Sequence, residues 1–458
     1  MHIELKDLVK ATNAEVYNFR NMKISGISID SRNLKAEDLF IAIKGERFDG
    51  HDFIDKVIAK GASSLIVSRS ILKSRLKKYD KGKIPFLVVK DTIKALGDIA
   101  HYKRMQFNIP IVAVTGSTGK TTVKEIISHI LASEFNVLKN DGTKNNLIGL
   151  PLTLLKLKDK HDIVVVEVGT NRFGEIKRLS GIAEPTVGVI TNIGHAHLET
   201  FGSIGQVFKE KSALLNSLSP KGWAVLNKDD KCLANAKTVS RKIYFGIEKK
   251  CKFQGKHISK TQKGYSFKLG KKTFNVPLLG KHSIYNALTG ITVGRLFGMK
   301  LEKIASRLEK FKMPLVDRFT LSKINNIHVI NDTYNSNPLS FSAAIKSLVE
   351  MKPRTRKIIV TSDMLELGKK AIYFHKEAGR MVARSGIDML LTVGVLSKFM
   401  NQSAKYHGMD KTRTRHFKTR SQLNNMLPNI IKRGDVVLVK GSRTTHMEEV
   451  VDQLNRKT

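Results

Sequence analysis

Between Ile111 and Thr122 the chain reads IVAVTGSTGKTT, an apolar run that ends on two glycines and continues as an amphipathic pattern. Ile111 to Val114 have the composition of a buried strand, and Val123, Ile126, Ile127, Ile130 and Leu131 recur at the i, i+3, i+4 spacing of one helix face. A strand that turns this tightly into a helix leaves backbone N–H groups pointing into the turn, where the helix start favours an anion. Gly116 and Gly119 permit such a turn, Ser117 and Thr118 are small enough to line it, and Thr122 follows in the first helical turn. Lys120 would reach the β- and γ-phosphates of a nucleotide, and the Thr121 hydroxyl would face a magnesium ion. The generic phosphate-loop pattern asks for a further glycine where Val114 stands, so the strand-to-helix context carries the reading.

A chain of 458 residues is too long for one core and predicts about three domains. Hydrophobic content of 41% with 26% charged residues describes globular rather than disordered chain. No stretch reaches the roughly 20 apolar residues of a membrane span, and MHIELKDLVKATNAEV at the start lacks an apolar signal core. A monomeric cytoplasmic protein is expected. Two cysteines, Cys232 and Cys251, make neither a disulfide framework nor a metal-ligand spacing. The net charge of +40 raises nucleic acid as a partner, yet lysine and arginine recur in every region without the aromatic interleaving of a single-strand platform or a DNA-reading motif. The expectation is a solvated basic surface and no specific nucleic acid.

Up to about residue 98 short strands alternate with helices: EDLFIAIKG (37–45), the helix-like HDFIDKVIAKGA (51–62), ASSLIVS (62–68) and PFLVVKD (85–91). This is a small α/β unit. Its turns SIDSR (28–32) and KGERFDGHD (44–52) stand at strand ends, where ligand loops sit, although each read alone is an ordinary loop. After the phosphate loop, NDGTKNNLIGLPLTLL (140–155) places Asn145 and Asn146 ahead of an apolar segment, and HDIVVVEVGTNRFGEI (161–176) is a buried strand delivering Glu167 at its end. A carboxylate there suits a magnesium ligand, and equally a partner for one of the many lysines. PTVGVITNIG (185–194) runs into HAHLETFGS, which brings His197 to a strand's carboxyl end; if the strands carrying Thr121, Glu167 and His197 are neighbours, three candidate ligands converge. In the helix from Ser203, residues Ile204, Val207, Phe208, Leu214, Leu215 and Leu218 form one stripe with Lys211 in its middle, while Lys209 and Glu210 fall off it. A lysine so placed either snorkels to solvent or has a function.

Residues 222–280 read as β-rich, and GKHSIYNAL (280–288) opens a helix presenting His282, Ser283 and Asn286, whose amide could read an adenine edge. From Met313–Pro314 the α/β alternation resumes with IHVINDTYN (327–335), KIIVTSD (357–363), DMLLTVG (388–394) and DVVLVKGS (435–442). Polar clusters follow three of these strands: Asp332, Asn335 and Asn337; Asp363 and Glu366; Lys440, Ser442 and Arg443. In doubly wound sheets that carboxyl edge is where ligands bind.

The ordered set SIDSR, GERFDGHDF, TGSTGKTT, NNLIGLPLTLL, EVGTNRFGEI, HAHLETFG, GKHSIYNAL, NDTYNSNP, DMLELG and KGSR resembles the Mur ligase superfamily over nearly the whole chain. NDTYNSNP, DMLELG and KGSR point within it to the members that add D-alanyl-D-alanine to UDP-N-acetylmuramoyl-tripeptide. The resemblance implies three α/β domains: a small amino-terminal one for the uridine nucleotide (1–98), a central phosphate-loop ATPase with a mostly parallel sheet (99–312), and a carboxy-terminal Rossmann-like doubly wound ligase domain (313–458). It implies ATP and magnesium as cofactors, with the tripeptide nucleotide and D-alanyl-D-alanine as substrates. Ser31, Arg32 and Lys44 would lie near the uridine nucleotide, Asn145 and Asn146 near the γ-phosphate, and Asn335 and Asn337 near substrate. Gly116 to Thr122, Asn286, Arg318 and Asp332 would bind ATP; Thr121 would bind one magnesium, and Glu167 and His197 a second; Lys120, His197 and Lys211 would act in catalysis. Lys211 occupies the position of a lysine that sister ligases carbamylate, which would make it a further magnesium ligand. The chain departs from the family pattern at Ser283, where asparagine is usual, at Asp317, where glycine is, and at Thr361-Ser362, where leucine-glycine is. The alternatives are another amide ligase of the Mur or folate type, and an ATPase stimulated by nucleic acid.

Overall fold

The computed structural model describes residues 3–71, 84–351 and 355–456, and contacts gather the chain into two compact units. One comprises Met1–Ile111, Leu138–Val168 and Lys177–Glu184; the other comprises Val112–Val137, Gly169–Ile176 and Pro185–Thr458.

The first unit contains a five-stranded sheet in the order Glu15–Tyr17, Phe86–Val89, Ser64–Ser68, Asp38–Ile41, Gly26–Ser28, with only the Glu15–Tyr17 edge antiparallel. Successive side chains on a strand point to opposite faces. Leu39, Ile41, Ile66 and Leu87 therefore pack with Leu5, Leu8, Leu96 and Ile99, and Phe40, Leu65, Val67 and Phe86 pack with Ile54 and Val57. The expected helix over 51–62 is shorter than its pattern. Asp49 accepts the His51 N–H and draws Gly50–Phe53 into a 3-10 turn, leaving an α-helix only over Ile54–Ala59, with Gly61 at φ +82° beyond it. The connecting helix runs Thr92–Met105 and starts where the Asp91 carboxylate accepts the N–H groups of Ile93 and Lys94. The strand Ile163–Glu167 is buried along its whole length.

In the second unit, strands run in the order Phe253–Gln254, Arg241–Gly246, Trp223–Asn227, Val187–Ile190, Ile111–Thr115, and adjoining members are parallel. The β-rich stretch 222–280 divides between this row and an antiparallel meander, Lys256–Lys260, Tyr265–Leu269 and Lys272–Val276, in which Phe267 stacks on Phe274. Further along, a six-stranded sheet has the order Thr320–Ile324, Ile327–Asp332, Val436–Lys440, Lys357–Ser362, Met389–Val393, Thr414–Phe417, parallel except for the Thr320–Ile324 hairpin edge. Neighbouring strand residues such as Ile358 and Ile359 enter opposite apolar clusters, so helices cover both faces as the alternation predicts. The α/β class, the parallel central row and the doubly wound carboxy-terminal sheet agree with expectation.

Helices Ala371–Arg384 and Ser397–Tyr406 approach closely at Gly379, where a β-carbon would lie 2.1 Å from the Met400 carbonyl oxygen and 2.9 Å from Ser403 Cβ. A backbone oxygen cannot move aside as a side-chain end can. Gly379→Ala is expected to lower unfolding stability by about 1–3 kcal/mol, measured as a shift in the urea midpoint at unchanged slope.

Candidate active site

The turn after Ile111–Thr115 is built with Gly116 at φ +150° and Gly119 at φ +78°, conformations that a β-carbon disfavours. Space enforces the same choice: a β-carbon on Gly116 would meet Thr191 Oγ1 at 1.9 Å, and one on Gly119 would meet Asn286 Oδ1 at 2.9 Å. Because Ile190 pairs with Thr115, the next residues of the neighbouring strand stand beside the loop and brace it. The Thr191 hydroxyl donates to the Thr118 carbonyl at 2.6 Å, and Asn192 Oδ1 accepts the Thr118 N–H at 3.0 Å and its hydroxyl at 3.1 Å. The Ser117 N–H donates to the Asn192 carbonyl at 2.9 Å, and the Ser117 hydroxyl accepts the Gly194 N–H at 2.8 Å. Lys120 and Thr121 open the helix Lys120–Leu131, with Thr121 buried and the Lys120 ammonium 3.1 Å from the Gly116 carbonyl. Asn286, buried in the helix His282–Leu296, thus meets the phosphate loop at Gly119.

His197 sits at the start of a short helix, Leu198–Phe201, in a left-handed conformation (φ 53°). Its Nδ1 lies 2.8 Å from Glu366 Oε2. The hydrogen bond from His197 lowers the Glu366 pKa, outweighing burial, and the Lys120 charge acts in the same direction. Lys211 in helix Ile204–Asn216 is 1% exposed, so it does not snorkel to solvent. Its neighbour Glu210, off the apolar stripe, is also buried, and its carboxylate accepts the N–H groups of Gly174 at 2.8 Å and Ile176 at 2.9 Å. A carboxylate spent on backbone donors fixes a loop rather than reacting.

A second set of cations gathers around Tyr334. The Arg318 guanidinium lies 3.3 Å from the centre of that ring and the Arg443 guanidinium 5.5 Å, with Arg443 also 3.7 Å from Asp317. Asp332 bonds the fully buried Lys440 ammonium at 2.5 Å, and the same ammonium donates to the Asn335 carbonyl at 3.0 Å. Asn337 caps the helix Pro338–Val349 in a reciprocal capping box with Ser340, so its side-chain oxygen serves the fold. Ser283 is buried and donates to the Leu278 carbonyl at 3.3 Å.

In the first unit, Glu167 ends its strand almost fully buried, with Asn145 Nδ2 2.6 Å from its carboxylate and Asn140 closing a reciprocal pair with its backbone. Asn146 turns elsewhere: its Oδ1 accepts the Ile148 and Gly149 N–H groups at the start of helix Gly149–Leu154. Arg32 forks onto Asp30 with contacts of 2.9 and 2.8 Å, and these hydrogen bonds hold the Asp30 pKa at about 2. Ser31 is buried and lends its carbonyl to the Lys60 ammonium at 2.8 Å. Lys44 is exposed and its backbone pairs in an antiparallel bridge with that of Asp49, whose carboxylate holds His51 Nδ1 at 2.6 Å while His51 Nε2 accepts the Ser68 N–H.

Among the described residues no three His, Cys, Asp or Glu side chains form a cage for a metal. Magnesium needs no such cage, since it takes one or two protein groups and leaves the rest of its shell to water and phosphate; within the second unit Thr121 and His197 each offer a donor, and within the first Glu167 offers a carboxylate. Thr191, Asn192, Glu210, Asn140 and Lys440 carry more of the geometry than sequence reading assigned them. The one signal available for Thr191 and Asn192 was their place just beyond a buried strand's carboxyl end.

Three family models match successive stretches: the Mur ligase family catalytic domain over residues 23–104, the Mur ligase middle domain over 114–294, and the Mur ligase glutamate ligase domain over 317–443. The UDP-N-acetylmuramoyl-tripeptide–D-alanyl-D-alanine ligase of Escherichia coli (strain K12) is 35% identical, the match covering 99% of this chain and 98% of that one. A crystal structure of MurF from Acinetobacter baumannii superposes with a TM-score of 0.89 at 30% identity, covering all of both chains. MurF ligase from Thermotoga maritima, solved in complex with ADP, superposes with a TM-score of 0.83 at 27% identity over 94% of this chain and 97% of that one.

Asn192→Ala removes the acceptor for two Thr118 donors and leaves the fold's apolar contacts intact. The variant is expected to raise KM for ATP about tenfold, equivalent to about 1.4 kcal/mol for the lost loop support, with an unchanged thermal midpoint as the check on folding.

Proposed function

Because the chain belongs to the Mur ligase family, we propose for it the reaction of its D-alanyl-D-alanine-adding members: ATP-driven joining of D-alanyl-D-alanine to UDP-N-acetylmuramoyl-tripeptide. The enzyme is an ATP-dependent ligase that forms an amide bond, and its product, UDP-N-acetylmuramoyl-pentapeptide, is a peptidoglycan precursor. The observation that carries this reading is likeness along essentially the whole chain to ligases of that one specificity. The three successive family matches support the division into nucleotide, ATPase and ligase domains at about 1–98, 99–312 and 313–458.

The tripeptide's terminal carboxylate attacks the γ-phosphorus of ATP, expelling ADP and leaving an acyl phosphate. The amine of D-alanyl-D-alanine then attacks the carbonyl carbon, passes through a tetrahedral intermediate and expels phosphate as the nitrogen loses its proton. Phosphoryl transfer of this kind is accelerated mainly by positioning and charge stabilisation. The N–H groups of Gly116 to Thr122 cradle the phosphates, and Lys120 swings from the Gly116 carbonyl to the β- and γ-oxygens. Asn286, Arg318 and Asp332 hold the nucleotide, with Lys440 fixing the Asp332 carboxylate. Asn145 steers the Glu167 carboxylate and lies near the γ-phosphate with Asn146; Ser31, Arg32 and the Lys44 loop receive the uridine nucleotide, and Asn335 and Asn337 the peptide end. Thr121 would hold one magnesium, and Glu167, His197 and a carbamylated Lys211 a second; magnesium when bound neutralises charge building on the transferring phosphoryl group. No helix among the described residues is long and apolar enough to cross a membrane; we place the enzyme in the cytoplasm as a monomer, a state that light scattering measures directly.

Phosphate release from ATP should require both the UDP-linked tripeptide and D-alanyl-D-alanine, and Lys120→Ala should cut it at least about 100-fold in a folded protein. Release stimulated instead by DNA or RNA, or by an amino acid in place of the dipeptide, would displace this reading. For Lys211, 1% exposed, carbamylation would turn a buried cation into a carboxylate that a bound metal ion can hold. Lys211→Ala should lose most activity and regain part of it with added short-chain carboxylates. Full activity of Lys211→Ala without added acid would remove the carbamate from the mechanism.

A further inference from the structure

The loop from Asp363 to Gly368 is held at nearly every residue. The Asp363 carboxylate accepts the N–H groups of Val395, Leu396 and Ser397 at 3.0, 3.0 and 2.6 Å. The Met364 N–H donates to His375 Nε2 and the Leu365 N–H to Ser442 Oγ, each at 3.0 Å. The Glu366 carbonyl accepts the Glu199 N–H at 2.9 Å, and Met364 and Leu367 are buried in one apolar cluster with Leu198 and Phe201. A loop of the doubly wound sheet is thereby fastened, by backbone and by core, to the segment that carries His197.

At the point of fastening, Glu366 (φ 61°) and His197 (φ 53°) are both in the left-handed region, and their side chains meet at 2.8 Å. Left-handed backbone costs a non-glycine residue about 1–2 kcal/mol. A polar contact whose carboxylate is 47% exposed contributes only about 0–1 kcal/mol and does not offset two such costs. What the contact does provide is orientation. A carboxylate facing Nδ1 selects the imidazole tautomer with its proton on Nδ1, which leaves Nε2 as the nitrogen with a lone pair.

We propose that Glu366 is a positioning residue for His197: it fixes the ring and its tautomer so that Nε2 is presented to the cation that accompanies ATP. Because Glu366 belongs to the ligase region and His197 to the ATPase region, the histidine is correctly set only while the Asp363–Gly368 loop lies against the 197–203 segment. Binding of ATP and its cation is thereby coupled to docking of the region that brings the second substrate. The proposal rests on the ligase reading only in naming what Nε2 meets.

The test uses full-length protein labelled with 15N-histidine, the His197 signals being assigned by their loss in His197→Gln. The unaltered protein is expected to hold His197 in the Nδ1–H form, and Glu366→Ala to give a mixture of tautomers. In Glu366→Gln the amide oxygen still accepts from Nδ1, so the tautomer should persist. Mn2+ affinity in the presence of a non-hydrolysable ATP analogue, read by electron paramagnetic resonance, should fall about 10- to 100-fold in Glu366→Ala and less in Glu366→Gln. kcat should fall with it while KM for the UDP-tripeptide stays within about twofold. A folded Glu366→Ala protein that keeps both the tautomer and the Mn2+ affinity overturns the proposal; should that variant not fold, an unaltered protein whose His197 carries its proton on Nε2 overturns it. Failure of the unaltered enzyme to release phosphate in response to D-alanyl-D-alanine would instead fault the ligase reading, and would leave the tautomer and Mn2+ comparison standing.

Discussion

A single missing carbon governs the ATPase half of the molecule. With a side chain on Gly116 the loop could not lie against the Thr191 hydroxyl, and without that approach Thr191 and Asn192 could not clasp Thr118. The approach depends in turn on the parallel register that sets Ile190 beside Thr115. Strand side chains alternate faces, so a slip of one residue would carry Thr191 away from the loop and move the start of the His197 segment with it. Buried, near-continuous apolar strands such as Val112–Val114 and Val187–Ile190 specify that register through their packing, which ties core composition to the shape of an anion site.

The cations around the candidate ATP site are each restrained by a different kind of partner. Lys440 is neutralised by Asp332, Arg318 lies on the Tyr334 face, Arg443 divides between that face and Asp317, and Lys120 rests on a backbone carbonyl with Glu366 nearby. Like charges left to repel one another would splay the loops that carry them. Restraint by carboxylate, ring and carbonyl keeps them at short range, in reach of a polyanion. Other basic residues find partners of the same kinds, as Arg356 does in Asp435 and Arg32 in Asp30, so a net charge of +40 by itself says little about the reaction.

How much could be read from sequence followed how local each feature is. The phosphate loop is legible because strand, turn and helix lie within a dozen or so residues, and Lys211 because helical periodicity alone places it inside. Glu210 defeats the same periodicity: it is buried off the stripe because backbone donors at Gly174 and Ile176 receive it, a tertiary pairing that no spacing encodes. Sequence does not tell apart the local partners of Arg32, Asn146 and Asn337, all polar loop residues: one forks onto Asp30, one caps a short helix and one closes a capping box. The helix over 51–62 was overdrawn because Asp49 and Gly61 compete with a pattern too short to resist them. Family resemblance reached residues such as Asp332 whose neighbours in sequence give no sign of Lys440.

That last pairing bears on how the chain can change over generations. Asp332 and Lys440 are 108 positions apart, and the lysine is fully buried. Replacing either alone strands a charge out of water at a cost of about 3–5 kcal/mol, comparable to the whole margin of a weak domain. A lineage can accumulate lysine freely over its surface while these two codons remain locked together. Escape would require both to mutate in one step, or a third change that first admits water, so the pair should behave in descent as one inherited character.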